Sequence, residues 1–398
     1  MYSLLPGLSI IEASSFVASP TAGLYLAQMG ANVIRVDQMG GGPDFRRWPQ
    51  TADGNSLYWE NLNRAKKSVA LNLGQAAGRE LLAELVQKTG QFITNFPVNG
   101  FLAHDRLAAG RADLVTVRIM GMADGGPALD YTVNSAVGFP DLTGTGPEPV
   151  NHVLAAWDLL TGAYAAFAML AAIHHRSATG HGQEVRVPLS DVAIGTVANL
   201  GMLAETWMTG ANRERLGNTV YGAFGRDFVT ADGRRLMIMA ITPRQWAGLV
   251  QILDLADDVA GIEAARGISF ATDEGLRFTH RDALFPLVEA RVARRTYADL
   301  AAALDGVGGC YGPYQTMHQA AHDPALVGNN PLFATGISNP SGMEYPAAGA
   351  FATIPQLNRA PPRPAPILGA DTDQVLAEHV GLSSGAIGAL HDQGLVGG

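Results

Sequence analysis

One carboxylate stands where a charge is expensive. Asp158 lies inside the apolar run VLAAWDLLTGAYAAFAML, which reads as a helix. An ionised side chain is costly in such a run unless it is held there for a purpose. Two uses are open. Asp commonly starts a helix as an N-cap. A carboxylate can also attack an activated carbonyl and carry the acyl group covalently. The two are compatible, because a carboxylate at a helix start is oriented, partly stabilised by the helix dipole and available to react. His152, His174 and His175 flank it, but their spacing supplies no three converging ligands with an acidic partner, so no metal site is expected. Cys310 is the only cysteine. No base can be paired with it, and it reads as a small buried hydrophobe rather than a nucleophile.

The elements that must position Asp158 begin at the N-terminus. Leu8 to Glu12 is a short strand candidate, followed by the small-residue turn Ala13 to Ser19 and an apolar-periodic helix that stops at Gly30. Asn32 to Asp37 (NVIRVD) gives a second strand, so the chain opens as a βαβ unit of Rossmann-like character. The turn ASSFVASP lacks the G-x-G-x-x-G pattern that lets a backbone approach a pyrophosphate, which weakens a nicotinamide reading. Strands at Ser68–Leu71, Gln91–Thr94 and Leu114–Ile119 alternate with helical stretches such as Gly78–Lys88, which predicts a mostly parallel α/β sheet. A helix over Val153–His175, a strand at Gly182–Val187 and one helix over Leu189–Met208 follow. From Gly222 to Ile241 the pattern is strand, turn at Ala231-Asp232-Gly233, strand, then Ala-rich helices to about Leu304. The expected division is a Rossmann-like large domain over 1–215, a smaller α+β domain over 216–325, and a segment over 326–398 that returns to the large domain.

Composition narrows the function. The chain has 398 residues, 47% hydrophobic and 16% charged, with a net charge of −9 and no Lys/Arg run beyond a pair. That excludes a nucleic-acid footprint. The N-terminus Met1–Pro6 has no basic region followed by a long apolar stretch, so neither secretion nor a membrane is expected. With a single cysteine, a reducing, cytoplasmic setting is the natural reading.

From Asp158 through Leu170, then His175-Arg176, Thr179-Gly180, Gly182-Gln183 and Asp191, the sequence resembles the signature of the class III, or CaiB/BaiF, CoA-transferases. Four further segments share the resemblance: GLSIIEASSFVASPTAG with LAQMGANVIRVD, the patch LNRAKKSVALNL, the tripeptide Thr94-Asn95-Phe96, and Leu368-Gly369 with Thr372-Asp373. The resemblance implies that Asp158 is the catalytic aspartate, carrying first an acyl group and then CoA. It implies that Val17, Ala18, Leu71, Asn95, Phe96 and Tyr131 lie where relatives hold CoA and the acyl group. Basic residues should meet the CoA phosphates, and Arg35, Arg46, Arg47, Lys66 and Lys67 are the candidates near the first strands. Arg106 is a shifted candidate for the cation that relatives place after their Asn-Phe pair. An acyl-CoA substrate, no tightly bound cofactor and an interlocked homodimer are further implications.

The sequence also departs from better-known relatives. Their glycine-rich active-site loop is replaced by GNTVYGAFGRDF (Gly217–Phe228). That segment, with FITNFP, DYTVN, RRWP and VNHVLAAWDLLTG, resembles a branch of the family that moves CoA between the two carboxyl groups of mesaconate, which is 2-methylfumaryl-CoA isomerisation. Arg47, His152 or Arg226 is then the candidate for holding the free carboxylate. Intermolecular transfer from a dicarboxylyl-CoA such as succinyl-CoA, a 2-methylacyl-CoA racemase, and a non-catalytic acyl-CoA binding protein remain as alternatives.

Overall fold

The computed structural model describes residues 1–398. The chain first alternates between short strands and helices. These are β1 (Ser9–Ala13), α1 (Ala18–Gln28), β2 (Asn32–Gln38), α2 (Leu57–Leu62), β3 (Lys67–Leu71) and α3 (Ala76–Thr89). Next come β4 (Gln91–Thr94), α4 (His104–Ala108), β5 (Val115–Met120), α5 (Asp130–Ala136) and the single turn α6 (Phe139–Leu142). The long α7 (Ala156–Thr179) leads into β6 (Gln183–Pro188), α8 (Leu189–Asn199) and α9 (Met202–Thr209). The single helix expected over Leu189–Met208 is broken at Leu200-Gly201, where Gly201 adopts a left-handed φ of 75° that ends one helix and starts the next.

The remaining elements are β7 (Phe224–Val229), β8 (Arg235–Ala240), α10 (Pro243–Ile252), α11 (Ala256–Arg266), α12 (Glu274–Thr279), α13 (Arg281–Val292), α14 (Tyr297–Val307), β9 (Cys310–Pro313) and α15 (Met317–Ala321). The C-terminal stretch adds β10 (Phe333–Ala334), β11 (Ala347–Ala348), α16 (Thr372–Val375), α17 (Ser384–Asp392) and β12 (Val396–Gly397). Two compact units result. One comprises Met1–Gly138, His152–Gly210 and Pro324–Gly398; the other comprises Phe139–Asn151 and Ala211–Asp323.

The first unit is built on a seven-stranded sheet in the order β12-β3-β2-β1-β4-β5-β6. All neighbours are parallel except β12, which runs antiparallel to β3. Strands of a parallel sheet covered on both faces are rich in Val, Ile and Leu rather than alternating, which is why the inner strands stood out in the sequence. On one face, Ala22 and Leu26 of α1 and Ala165, Met169 and Ala172 of α7 pack on Ile10, Ile93 and Val115. On the other, Leu82, Leu85 and Val86 of α3 and Ile387 of α17 cover Ile11, Ile34, Val69 and Phe92. The contact of α1 with α7 depends on a missing side chain, since a Cβ on Gly162 would lie 2.5 Å from the Ala18 carbonyl oxygen. Helix α7 is long and apolar enough to cross a membrane. Its inner face is spent on this core.

The second unit carries the three-stranded antiparallel sheet β7-β8-β9, with the predicted hairpin as its first two strands. Its core is aromatic, formed by Phe224, Phe228, Trp246, Phe270 and Phe285. Cys310 is exposed on β9, not buried as its residue type suggested, because its neighbour Tyr311 is the residue of this edge strand that packs on the aromatic core.

Candidate active site

The strand order turns at β1. Its neighbours β2 and β4 are reached in opposite directions, so the loops after β1 and β4 diverge at their carboxyl ends and leave a crevice. A cavity of about 890 Å³ lies there. Ser15 to Ala18 follow β1, Asn95 to Asn99 follow β4, and Gly121 to Leu129 follow β5; residues of these three loops line it together with Ile119 and Met120 at the end of β5, Asp158, Arg186 and Leu189.

The loop after β1 is fixed from three sides. Asn95 receives the Ser15 N–H on its Oδ1 at 3.2 Å and donates its Nδ2 to the Ser15 carbonyl at 3.0 Å. Asp44 accepts the Phe16 N–H at 3.2 Å, and Arg35 donates to the Ser14 carbonyl at 3.2 Å. These bonds hold Phe16 at a left-handed φ of 67°, which a side chain seldom adopts. The strained residue turns the chain directly into α1. No side chain caps that helix start, so its first N–H groups open beside Val17 and Ala18.

Asp158 sits in the first turn of α7. The cap comes from elsewhere: Asp130, at the start of α5, accepts the N–H groups of Trp157 at 2.7 Å and Asp158 at 3.1 Å on the same oxygen. Its second oxygen, Oδ1, is buried without a hydrogen bond. Asp158 is therefore not an N-cap, and its carboxylate faces the cavity. Burial, and next the like charge of Asp130, push its pKa up to about 6, while Arg47 acts in the opposite direction. A carboxylate of that basicity, partly desolvated and at the wall of a cavity, is suited to nucleophilic attack on a carbonyl.

The structure gathers some of the anticipated residues and disperses others. Val17, Ala18, Asn95, Phe96 and Asp158 line one cavity. Arg35 does not. It is wholly buried, with Asp37 and Asp44 at 2.9 and 3.0 Å and Glu12 at 3.5 Å. Burial opposes its charge, but the three acids outweigh it and keep it cationic. Its charge is therefore consumed inside the fold and cannot be offered to a phosphate. Lys66 is likewise buried, 2.8 Å from Glu12, and burial lowers its pKa to about 8. The Leu71 side chain belongs to the core behind β3, and Lys67 pairs with Glu378 at 3.2 Å. Arg106 is exposed on α4 away from the cavity lining. Tyr131 is exposed and donates to the Val153 carbonyl at 3.2 Å without lining the cavity.

Arg46 and Arg47 are both exposed and neither lines the cavity, but Arg47 stacks its guanidinium against Phe16 and Tyr58, 5.4 and 5.5 Å from the ring centres. His152 lies 6.2 Å from Tyr131, ring to ring, with both nitrogens buried and unbonded. Arg226, in the second unit, is paired with Glu289 at 3.5 Å and stacked on Phe228 and Phe285. Three features of the site were missed. The glycine-rich segment Gly121–Gly126 after β5, Arg186 on β6 and the capping Asp130 all lie at or beside the cavity. The signals existed: MGMADGGP is a turn after a strand, and Asp130 precedes a helix.

Residues 5–372 match CoA-transferase family III. The chain is 43% identical over 406 residues to the 2-methylfumaryl-CoA isomerase of Chloroflexus aurantiacus, covering 100% of this chain and 99% of that one. It is 29% identical over 396 residues to a succinate–glutarate CoA-transferase of Agrobacterium fabrum, covering 94% and 95%. The crystal structure of a CaiB/BaiF family protein from Brucella suis superposes with a TM-score of 0.76 at 25% identity, covering 95% of this chain and 100% of that one.

Proposed function

The chain belongs to CoA-transferase family III, and from that premise we propose that it moves CoA between the two carboxyl groups of mesaconate, isomerising 2-methylfumaryl-CoA with Asp158 as the nucleophile. The likeness to the Chloroflexus isomerase along the whole of both chains carries this reading. The cavity supports it by presenting one basic carboxylate beside an uncapped helix start.

The Asp158 carboxylate attacks the thioester carbonyl, forming a mixed anhydride and expelling CoA thiolate. The thiolate then attacks the aspartyl carbonyl, leaving aspartyl-CoA and free mesaconate. The acid turns round in the cavity. Its other carboxylate attacks aspartyl-CoA, giving a new anhydride and thiolate. Attack of that thiolate on the mesaconyl carbonyl yields the isomeric thioester and restores Asp158. Each step exchanges one activated acyl bond for another, so the chemistry asks for no metal, ATP or redox carrier. Backbone N–H groups at Val17 and Ala18, at the uncapped start of α1, stabilise the oxyanions in this scheme. Water must be kept out, because anhydride and thioester both hydrolyse.

The partner is an acyl-CoA, met in the cytoplasm, and the enzyme works as an interlocked homodimer. Phe167 on α7 and Trp207 and Met208 on α9 are 65%, 88% and 86% exposed, more apolar surface than a lone chain normally leaves in water. The deciding experiment pairs Asp158→Ala with an isotope test. The substitution abolishes turnover in a folded protein that still binds CoA; a loss of only a few-fold removes Asp158 from the mechanism. Mesaconyl-CoA acylated at carbon 1 is then supplied with excess labelled free mesaconate. Unlabelled carbon-4 thioester marks intramolecular transfer, because a retained acid reacts at high effective concentration. Label entering at the rate of product formation identifies an intermolecular transferase instead.

A further inference from the structure

Arg47 is an exposed cation beside the site, outside the cavity lining, with no anion of its own chain to serve. Its main chain is pinned, the N–H to the Asp44 carbonyl at 3.1 Å and the carbonyl to the Ser56 hydroxyl at 2.6 Å. Its guanidinium is sandwiched between Phe16, whose residue lines the cavity, and Tyr58. The Tyr58 hydroxyl is sealed from solvent with the Arg47 guanidinium as its hydrogen-bonding neighbour, and burial raises its pKa to about 12, so it keeps its proton. The acid nearest in sequence, Asp44, is occupied by Arg35 at 3.0 Å and by the Phe16 N–H. Arg47 makes no salt bridge, whereas Arg35, Arg186 and Arg226 each have a carboxylate within 3.5 Å. Arg47 is also close enough to Asp158 to act on its charge.

We infer that Arg47, flanked by Phe16 and Tyr58, holds the carboxylate of the substrate that is not reacting, and so selects thioesters of dicarboxylic acids. The inference rests on the aspartate-centred reaction proposed above and names the residue that sets its substrate class. The fork of a guanidinium matches a carboxylate with two parallel hydrogen bonds, and its stacked, pinned position means little order is lost on binding. One such anchor serves both halves of the isomerisation. Mesaconate carries a carboxyl group at each end of a rigid double bond, so when one end is bonded to Asp158 the other lies toward Arg47. Turning the acid over exchanges the two ends and restores the same contact. His152 is a poorer anchor, because it carries a charge only when protonated.

The test compares two thioesters on Arg47→Gln and Arg47→Lys. Mesaconyl-CoA has the second carboxylate, and crotonyl-CoA lacks it. Isomerisation is followed by chromatography, and formation of aspartyl-CoA from either thioester is followed by mass spectrometry of the peptide containing Asp158 in a single turnover. Arg47→Gln lowers kcat/KM for mesaconyl-CoA about 10- to 100-fold, the loss expected for a charged hydrogen-bond pair, and changes aspartyl-CoA formation from crotonyl-CoA by less than about threefold. Arg47→Lys recovers part of the loss by keeping the charge without the fork. Equal losses with both thioesters, or none with mesaconyl-CoA, overturn the assignment. A wild-type enzyme that forms aspartyl-CoA but does not isomerise mesaconyl-CoA rejects the proposed reaction alone. The same contrast, run with succinyl-CoA against butyryl-CoA, then still decides the role of Arg47, and a wild type indifferent to the second carboxylate rejects it.

Discussion

A carboxylate proposed as a nucleophile has to be anionic to attack, yet a cavity that would protect its acyl products makes the anion costly. Asp158 sits at that compromise, with its pKa up at about 6 through burial and the nearby Asp130. A raised pKa means protonation and loss of the nucleophile as pH falls through about 6, so kcat/KM has an acid limb there and is flat above it. Asp130→Asn removes the like charge and keeps an oxygen for the Trp157 and Asp158 N–H groups. The limb then moves to lower pH. A pH–rate profile of the two proteins checks this, and an unmoved limb assigns Asp130 to capping alone. The place of Asp158 at the cavity was legible because an acid in an apolar run is conspicuous, while its catalytic part came from the family resemblance alone. The role of Arg35 was not legible. Its neighbours Glu12, Asp37 and Asp44 are spread along the sequence, and only the pairing of β1 with β2 and the return of the Asp44 loop bring them onto one guanidinium.

At the scale of elements, the site depends on how closely α1 approaches α7. Gly162 on α7 faces Ala18 on α1, and Gly162→Ala would place a methyl carbon 2.5 Å from the Ala18 carbonyl and 2.7 Å from the Thr21 Cβ. The helices must separate, moving the uncapped start of α1 away from Asp158. The expected result is a destabilisation of about 1–3 kcal/mol, typical of overpacking, with a fall in kcat larger than the change in KM. Thermal unfolding and steady-state kinetics measure both; full activity at wild-type stability would mean that the helices yield without disturbing the site. The strands β1 to β5 were readable because each is a short, mostly buried run, and β4 was placed to the residue; β6 is an edge strand with only Val187 buried. The strands β10 to β12 were not readable, being two residues long and too short for any period, and β9, as long as β4, was hidden by the Gly and Pro of CYGP, which read as a turn. The division of Leu189–Thr209 hinged on Gly201 at φ 75°, a conformation that the neighbouring Leu and Met residues do not announce.

For the whole molecule, the outward apolar faces of α7 and α9 predict a particle of twice the 41.8 kDa chain mass in light scattering. The dimer should survive high salt, because the exposed side chains on those faces include Phe167, Trp207 and Met208 rather than charges alone. A monomer at micromolar concentration refutes it. The antiparallel strand β12 has a separate consequence, for the order in which the protein is made. Its pairing through Val396 and Gly397 covers the outer edge of β3, whose unpaired N–H and C=O groups would otherwise recruit a foreign strand. On the ribosome that edge emerges early and stays bare until Val396 and Gly397 are made, long after the whole of Ala211–Asp323 has been synthesised. Synthesis thus delivers the second unit ready to fold while the sheet holding the candidate site is still unsealed, and the nascent chain is most vulnerable to aggregation throughout that interval.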